Sequence, residues 1–186
     1  GNRSGYIDPD LECYEEITSD VVPFEKAPAM KAAEIATRAC AAIRSGDFDH
    51  VRLNFANGDM VGHTGDFDAT VLSLEVMDRC VGEILSATRE MKGVLLLTAD
   101  HGNADQMYQL DKSTGDYLLD EDGERVPRTS HSTNPVPFFV CDFTDQWRLV
   151  PVDGAGLSHV SASILTAMVP ATTPIPMTMV TVFLIH

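Results

Sequence analysis

The chain has 186 residues, of which 44% are hydrophobic and 22% are charged, and its formal net charge at pH 7 is −15. This length and composition are typical of one ordinary globular domain. The strong acidity argues against nucleic acid or an anionic membrane as a partner, because both would repel the protein. A phosphorylated substrate is compatible with this charge only where bound cations neutralise the site.

The amino-terminal half reads as a linker followed by alternating helix and strand. Residues 1–28 carry Asp, Glu, Pro and Gly without periodicity, which predicts an irregular segment that arrives from elsewhere in a longer protein. Helical spacing of apolar residues from Pro28 to a stop at Gly46 predicts a helix. Alternating apolar residues over 51–55 predict a strand that ends in a polar loop at 57–59.

The pattern continues in the second half. A second helix is predicted to begin near Asp68, with that residue as its cap. The continuous apolar run at 93–98 predicts a strand covered on both faces. Residues 108–128 predict a hairpin or excursion, and 137–141 a third strand. The alternation predicts an α/β fold with a mostly parallel sheet.

The cysteines and the tail set two further expectations. Cys13, Cys40, Cys80 and Cys141 lie far apart with no CxxC pair, which favours free thiols in a reduced, cytoplasmic protein. The tail, 169–186, combines three prolines with an apolar finish and is too short and too broken to span a membrane. We expect it to be disordered, or to result from a frameshift or an error in the gene model.

The first chemical motif is Asp59-Met-Val-Gly-His63, which follows the first predicted strand. A carboxylate and an imidazole four residues apart share one face of a helical turn. Open α/β sheets bind their ligands just beyond the carboxyl ends of the strands. The alternative is a solvated loop with an incidental histidine.

The second and third motifs also adjoin predicted strands. Asp100 and His101 follow the buried strand directly, and His131 lies in Ser-His-Ser-Thr-Asn-Pro before the third strand. Carboxylate and neutral imidazole suit zinc, manganese and related divalent ions. An ordinary turn and a structural histidine are the alternatives. Together the three loops offer two aspartates and three histidines, so two divalent ions would leave positive charge for a phosphate.

Four longer stretches resemble one enzyme family. They are GNRSGY (1–6), NFANGDMVGHTGDFDAT (54–70), LLLTADHGNAD (95–105) and HSTNPVPF (131–138), and GAGLSHVSASIL (154–165) looks like the same family's closing helix region. All resemble the cofactor-independent phosphoglycerate mutases of the alkaline phosphatase superfamily. The resemblance implies a three-layer α/β sheet with helices on both faces, present here only as its C-terminal half.

The resemblance also implies a metal centre and a reaction. Asp59, His63 and His131 would hold one divalent ion, and Asp100 with His101 would help to hold a second. The implied ions are two manganese ions, with cobalt or other divalent metals as substitutes. The implied reaction interconverts 3- and 2-phosphoglycerate through a phosphoserine enzyme, in a full-length family expected to be monomeric.

Part of that machinery is not found in these residues. No serine lies in a matching nucleophile motif, so no catalytic residue is assigned here. The resemblance implies that 1–28 return from an inserted transferase domain, that 29–168 are the C-terminal part of the metal-binding domain, and that 169–186 are an atypical tail. We hypothesise that the chain alone binds metal weakly and turns over nothing.

Two alternatives remain open. One is another enzyme of the superfamily, a phosphopentomutase or a phosphodiesterase, against which the HSTNPVPF stretch argues. The other is a non-catalytic metal-binding or regulatory remnant, which the missing serine favours for this chain. Asp66, Asp68 and Asp105 could be helix caps as easily as metal ligands.

Overall fold

The structure of the protein is a computed structural model, and it describes residue 6, residues 8–168 and residues 179–184. The helices are α1 (Ala32–Ser45), α2 (Asn57–Gly62), α3 (Phe67–Glu90) and α4 (Val160–Met168), and the strands are β1 (His50–Phe55), β2 (Val94–Ala99), β3 (Phe138–Asp142) and β4 (Met179–Leu184). Two short 3-10 turns lie at Phe24–Lys26 and Leu157–His159.

The strands form one sheet in the order β1-β4-β2-β3. β4 pairs in parallel with β1 on one side and with β2 on the other. β3 pairs with β2 in the antiparallel direction at the edge. The α/β class and the mostly parallel sheet are therefore confirmed. The carboxyl ends of β1 and β2 lie at the same edge of the sheet, because Phe55 and Ala99 both pair with Leu184.

Helices cover both faces of the sheet. On one face α1 and α3 bury a core against alternate residues of β1, β2 and β4. On the other face Ile164, Ala167 and Met168 of α4 pack with Val94, Leu96 and Met179. Burial at about 25 cal/mol per Å² of apolar surface makes these two layers the main source of stability. The expected helices on both faces are confirmed.

The helix ends follow local chemistry. α1 ends where Gly46 adopts a left-handed conformation with φ of 72°, which costs glycine little. α3 begins two residues earlier than a cap at Asp68 would place it, since the carboxylate of Asp66 accepts a hydrogen bond from the amide of Ala69. The prediction of Asp68 as the cap was wrong. Asp66 is better placed because its extended backbone leaves its side chain free to turn back.

Residues 108–128 form the predicted excursion. Isolated antiparallel bridges join Tyr108 to Pro127, Leu110 to Tyr117 and Leu119 to Arg125. Its two turns use Gly115 and Gly123, with φ of 80° and 82°.

The first residues and the tail of the chain bear on two further predictions. Residues 8–23 contain no helix or strand, in keeping with an irregular segment, but their origin as a returning linker stays a prediction. In the tail, Met179–Leu184 form the inner strand β4, so the expectation of a disordered end was wrong for these residues. β-branched and aromatic residues suit a strand buried on both sides. Residues 169–178 and 185–186 lie outside the described residues. Across the described ranges, none of the helices has the length and hydrophobicity that a membrane span needs.

Candidate metal centre

Asp59 and His63 lie on α2, the short helix that follows β1. The amide of His63 donates to the carbonyl of Asp59 at 2.9 Å, closing one helical turn. This turn brings the imidazole Nε2 of His63 to 3.0 Å from Oδ1 of Asp59. The spacing of four residues predicted this shared face.

His131 reaches the same point from the loop before β3. Its Nε2 lies 3.1 Å from Oδ1 of Asp59 and 3.0 Å from Nε2 of His63. Three potential ligand atoms from two loops therefore form a triangle. Within the part of the chain that the structure describes, no other three His, Cys, Asp or Glu side chains bring their ligand atoms this close.

The triangle has the dimensions of a metal site. Nitrogen and oxygen ligands lie about 2.0–2.2 Å from a divalent ion, so neighbouring ligand atoms are separated by about 3.0 Å in octahedral and about 3.4 Å in tetrahedral geometry. The observed edges are 3.0, 3.0 and 3.1 Å. Side-chain exposures of 36% for His63 and 48% for His131 leave one side of the triangle open.

A second contact prepares His63 as a ligand. Its Nδ1 lies 2.7 Å from the carbonyl oxygen of Thr129. Because a carbonyl only accepts hydrogen bonds, Nδ1 is the donor in this contact, which leaves Nε2 as the ring nitrogen that faces the triangle. A backbone carbonyl on the distal nitrogen is the usual support of a metal-binding histidine.

Asp100 and His101 lie beside the triangle rather than in it. The ring of His101 stacks on that of His131, with centroids 3.6 Å apart and an angle of 18° between the planes. Oδ1 of Asp100 lies 3.6 Å from Nε2 of His101, and the Asp100 side chain is 47% exposed. The structure thus brings the five predicted ligands to one edge of the sheet but groups only three of them tightly.

Asn103 joins the loop after β2 to the loop after β1. Its fully buried side-chain amide donates to Oδ1 of Asp59 at 2.9 Å and to the Asp59 carbonyl at 3.2 Å. Gly62 permits this approach, because a Cβ there would lie 2.7 Å from Oδ1 of Asn103. The sequence reasoning missed Asn103, since an asparagine in a polar loop carries no signal of its burial.

Asp105 and Ser132 join the loop after β2 to the loop before β3. The hydroxyl of Ser132 donates to the carboxylate of Asp105 at 2.9 Å, and the amide of Ser132 donates to the carbonyl of Gly102 at 2.7 Å. Asn134 Nδ2 also donates to Asp105, at 2.5 Å. Asp105 is therefore neither a helix cap nor a member of the triangle.

Arg128 fixes the segment that carries His131. Its guanidinium donates to the carbonyl oxygens of Ser130 and His131, at 3.1 and 2.6 Å. The backbone on both sides of the His131 side chain is thereby oriented by one residue.

Comparison with known proteins shows the superfamily to which the chain belongs. The family model of the metalloenzyme superfamily matches residues 1–170. The chain belongs to this superfamily. All five predicted ligands fall within the match, as do Asn103, Asp105 and Ser132. The matched region ends before β4 begins.

Two curated relatives with high similarity to the chain have the same enzyme name. The chain is 46% identical over 169 residues to a probable 2,3-bisphosphoglycerate-independent phosphoglycerate mutase of Leptospira interrogans, with 90% of this chain and 31% of the relative covered. A mutase of the same name from Trypanosoma brucei brucei is 44% identical over 172 residues, with 90% of this chain and 31% of the relative covered. The chain thus spans about a third of the length of these curated relatives.

A solved structure gives the same result for the fold. A Leishmania mexicana phosphoglycerate mutase, crystallised at low cobalt concentration, matches with a TM-score of 0.85 and 40% identity, covering 94% of this chain and 33% of that one. At this identity the likeness supports both the fold and the alkaline-phosphatase-like architecture that the sequence predicted.

Proposed function

We propose that this chain is the metal-ligand-bearing part of a cofactor-independent phosphoglycerate mutase, which interconverts 3- and 2-phosphoglycerate. The observation that carries the proposal is the triangle of Asp59, His63 and His131, with edges close to 3 Å. The mutase relatives, 44–46% identical over 90% of the chain, supply the reaction class.

The charges of the site support a phosphorylated substrate only with bound cations. The chain has a formal charge of −15, and two of the acidic residues counted in it, Asp59 and Asp100, lie at the edge itself. Divalent ions, when bound, would neutralise these carboxylates and attract a phosphate to the open side of the triangle. The substrate is therefore expected to bind only to the metal-loaded protein.

The residues of the site have distinct roles in this proposal. Asp59, His63 and His131 would hold the first ion, and Asp100 with His101 would contribute to a second beside it. Thr129 keeps the proton of His63 on Nδ1 through its carbonyl oxygen. Asn103 occupies part of the lone-pair capacity of Asp59 Oδ1 and so orients the carboxylate.

The identity and number of the ions belong to this proposal. We propose two ions, with manganese as the first choice and cobalt as a substitute, because mixed imidazole and carboxylate sites accept both. The Leishmania relative was crystallised at low cobalt concentration. We propose a cytoplasmic location, for which the four free cysteines are the supporting observation.

Calorimetric titration with manganese or cobalt tests the metal centre. We expect the parent chain to bind, and the variants His63→Ala and His131→Ala to lose that binding. His159→Ala, at an exposed histidine away from the triangle, is the matched control and should bind like the parent. Binding that survives both site variants would refute the three-ligand site.

A chimera tests the reaction. Residues 1–168 would replace the matching segment of the Leptospira mutase, and formation of 2-phosphoglycerate would be followed with enolase. We expect activity in the chimera and none after His131→Ala. Turnover of pentose phosphates or phosphodiesters instead would favour the alternative superfamily enzymes. Metal binding without activity in the chimera would favour the non-catalytic remnant.

A further inference from the structure

Arg128 is held at the base of the excursion formed by residues 108–128. Its backbone amide donates to the carbonyl of Met107 at 2.8 Å, and Met107 is buried, with 6% of its surface exposed. The bridge between Tyr108 and Pro127 is adjacent to this bond. The two ends of the excursion are therefore joined, and this joint fixes the backbone from which the Arg128 side chain extends.

The base of the excursion also packs against the connection between α2 and α3. Gly65 in this connection has φ of 76°, and a Cβ there would lie 3.1 Å from Cβ of Pro127 and 3.2 Å from Cγ2 of Thr129. The ring of Phe67, at the start of α3, stacks on that of Tyr108 with centroids 5.9 Å apart. The base is thus attached to the segment that directly follows the two ligands of α2.

The guanidinium of Arg128 bonds two successive carbonyl groups. Nε donates to the carbonyl of Ser130 at 3.1 Å, and Nη2 donates to the carbonyl of His131 at 2.6 Å. These carbonyls belong to the two peptide units that flank the Cα of His131. The second unit also donates, through the amide of Ser132, to the carbonyl of Gly102 at 2.7 Å. One planar side chain therefore sets the backbone on which the His131 ligand is mounted.

The charge of Arg128 opposes a metal ion at the same place. Among the residues that the structure describes, none forms an ion pair with this guanidinium. Like charges repel, so electrostatics alone predicts tighter metal binding after Arg128 is removed. Control of the His131 backbone predicts the opposite, a loss of metal affinity. The two roles of the side chain can therefore be separated by the sign of one measurement.

We propose that Arg128 is a positioning residue of the metal centre, which holds the His131 ligand in the triangle through its two backbone hydrogen bonds. The proposal rests on the proposed function, because it assumes that the triangle binds a divalent ion. Arginine suits the role because its N–H donors lie in one rigid plane, so that two of them can meet two carbonyls at once. Lysine has the same charge but presents its donors from a single atom on a flexible stem.

Cobalt titration, followed by the visible absorption of the bound ion, separates geometry from charge. We expect Arg128→Ala and Arg128→Lys both to lower the cobalt affinity about 10- to 100-fold and to change the absorption spectrum, because both lose the paired hydrogen bonds. Arg125→Ala is the matched control and should bind cobalt like the parent. It removes an exposed arginine of the same excursion, whose guanidinium lies over the rings of Tyr108 and Tyr117. Tighter binding by Arg128→Ala, or binding by Arg128→Lys equal to that of the parent, would overturn the proposal.

Chemical rescue tests whether the missing guanidinium causes the loss. Guanidinium chloride, far below its denaturing concentration, should raise the cobalt affinity of Arg128→Ala and restore the spectrum of the parent. Sodium chloride at the same concentration should do neither. Urea unfolding of each variant establishes that it is folded before titration. Equal responses of Arg128→Ala to the two salts would contradict the positioning role.

Hydrogen exchange in the metal-free protein gives a result that does not depend on the proposed function. The amide of Ser132, which donates to Gly102, should exchange about 10-fold faster in Arg128→Ala and Arg128→Lys, and at the parent rate in Arg125→Ala. An unchanged rate in Arg128→Ala would overturn the proposal whether or not cobalt binds. Failure of the parent to bind cobalt would refute the proposed metal centre, and the exchange rates would still decide whether Arg128 sets the backbone of His131.

Discussion

The loops after β1 and β2 begin alike but lead to different sites. Each supplies an aspartate and a histidine beyond the carboxyl end of a parallel strand. After β1, a helical turn brings Asp59 and His63 within 3.0 Å of each other, and His131 completes the triangle. After β2, Asp100 and His101 are adjacent in sequence, and their nearest ligand atoms are 3.6 Å apart.

The difference teaches that backbone spacing decides how many ligands one loop can direct to one point. Residues four apart on a helix share a face, whereas adjacent residues point apart. The loop after β2 instead holds the other two loops in place, through Asn103 on one side and Asp105 on the other. The two loops therefore differ in role, one as the primary ligand source and the other as the support.

Removing a carboxylate from each loop should give the largest contrast. Asp59→Asn should lower the affinity for the first manganese ion by more than about 100-fold, because the substitution removes a ligand and not only a residue that supports one. Asp100→Asn should lower the affinity for the same ion by less than about 10-fold, since Asp100 lies outside the triangle. Calorimetric titration measures both, and equal losses would contradict the division between the two loops.

Removing the support at Asn103 should have the next largest effect. Asn103→Ala should weaken manganese binding about 10- to 100-fold, as expected for a residue that orients a ligand. It should also lower the free energy of unfolding by about 1–3 kcal/mol, because buried partners lose a hydrogen bond. Asn54→Ala, at an exposed asparagine of β1, is the control for urea unfolding and titration. An unchanged affinity in Asn103→Ala would show that Asp59 does not need this support.

Loss of the hydrogen bond between Ser132 and Asp105 should have a smaller effect on stability and on metal affinity. Ser132→Ala removes one hydroxyl donor from the Asp105 carboxylate, but Asn134 still donates to it. We expect a loss of about 1 kcal/mol in the free energy of unfolding and a smaller loss of metal affinity than in Asn103→Ala. Ser130→Ala, at an exposed serine two residues away, is the control. A larger affinity loss than in Asn103→Ala would reverse the order of the two supports.

Titration of His50 should affect the stability of the fold without involving the metal centre, since His50 lies at the opposite end of β1 from His63. Burial, and secondarily the charge of Arg52, lowers the pKa of His50 below its usual 6.5. The folded protein then binds fewer protons than the unfolded chain, so stability is complete above pH 6.5 and falls as the pH drops below it. Urea unfolding at pH 7.5 and 5.5 should show this fall in the parent and a smaller one in His50→Gln. The same slope in both proteins would exclude His50 as its source.

Much of the fold was predictable because local patterns carry it. The spacing of Asp59 and His63 predicted their shared helical face, and the short apolar run predicted β2. Asn103 and Ser132 were not predictable, because burial of a polar residue depends on contacts made far along the chain. β4 was missed because the preceding prolines suggested a tail, although its β-branched residues are typical of a buried strand. The separation of one tight cluster from a looser pair required the distances themselves.

The position of β4 also determines the order in which the sheet can be completed. His50 on β1 and Thr181 on β4 share a hydrogen bond across 131 positions of sequence. During synthesis, β1 and β2 emerge long before the strand that joins them, so their inner edges wait unpaired. Distant pairing of this kind slows folding and prolongs the exposure of strands that can aggregate. A nascent chain of this protein is therefore expected to depend on chaperones until residues 179–184 have left the ribosome.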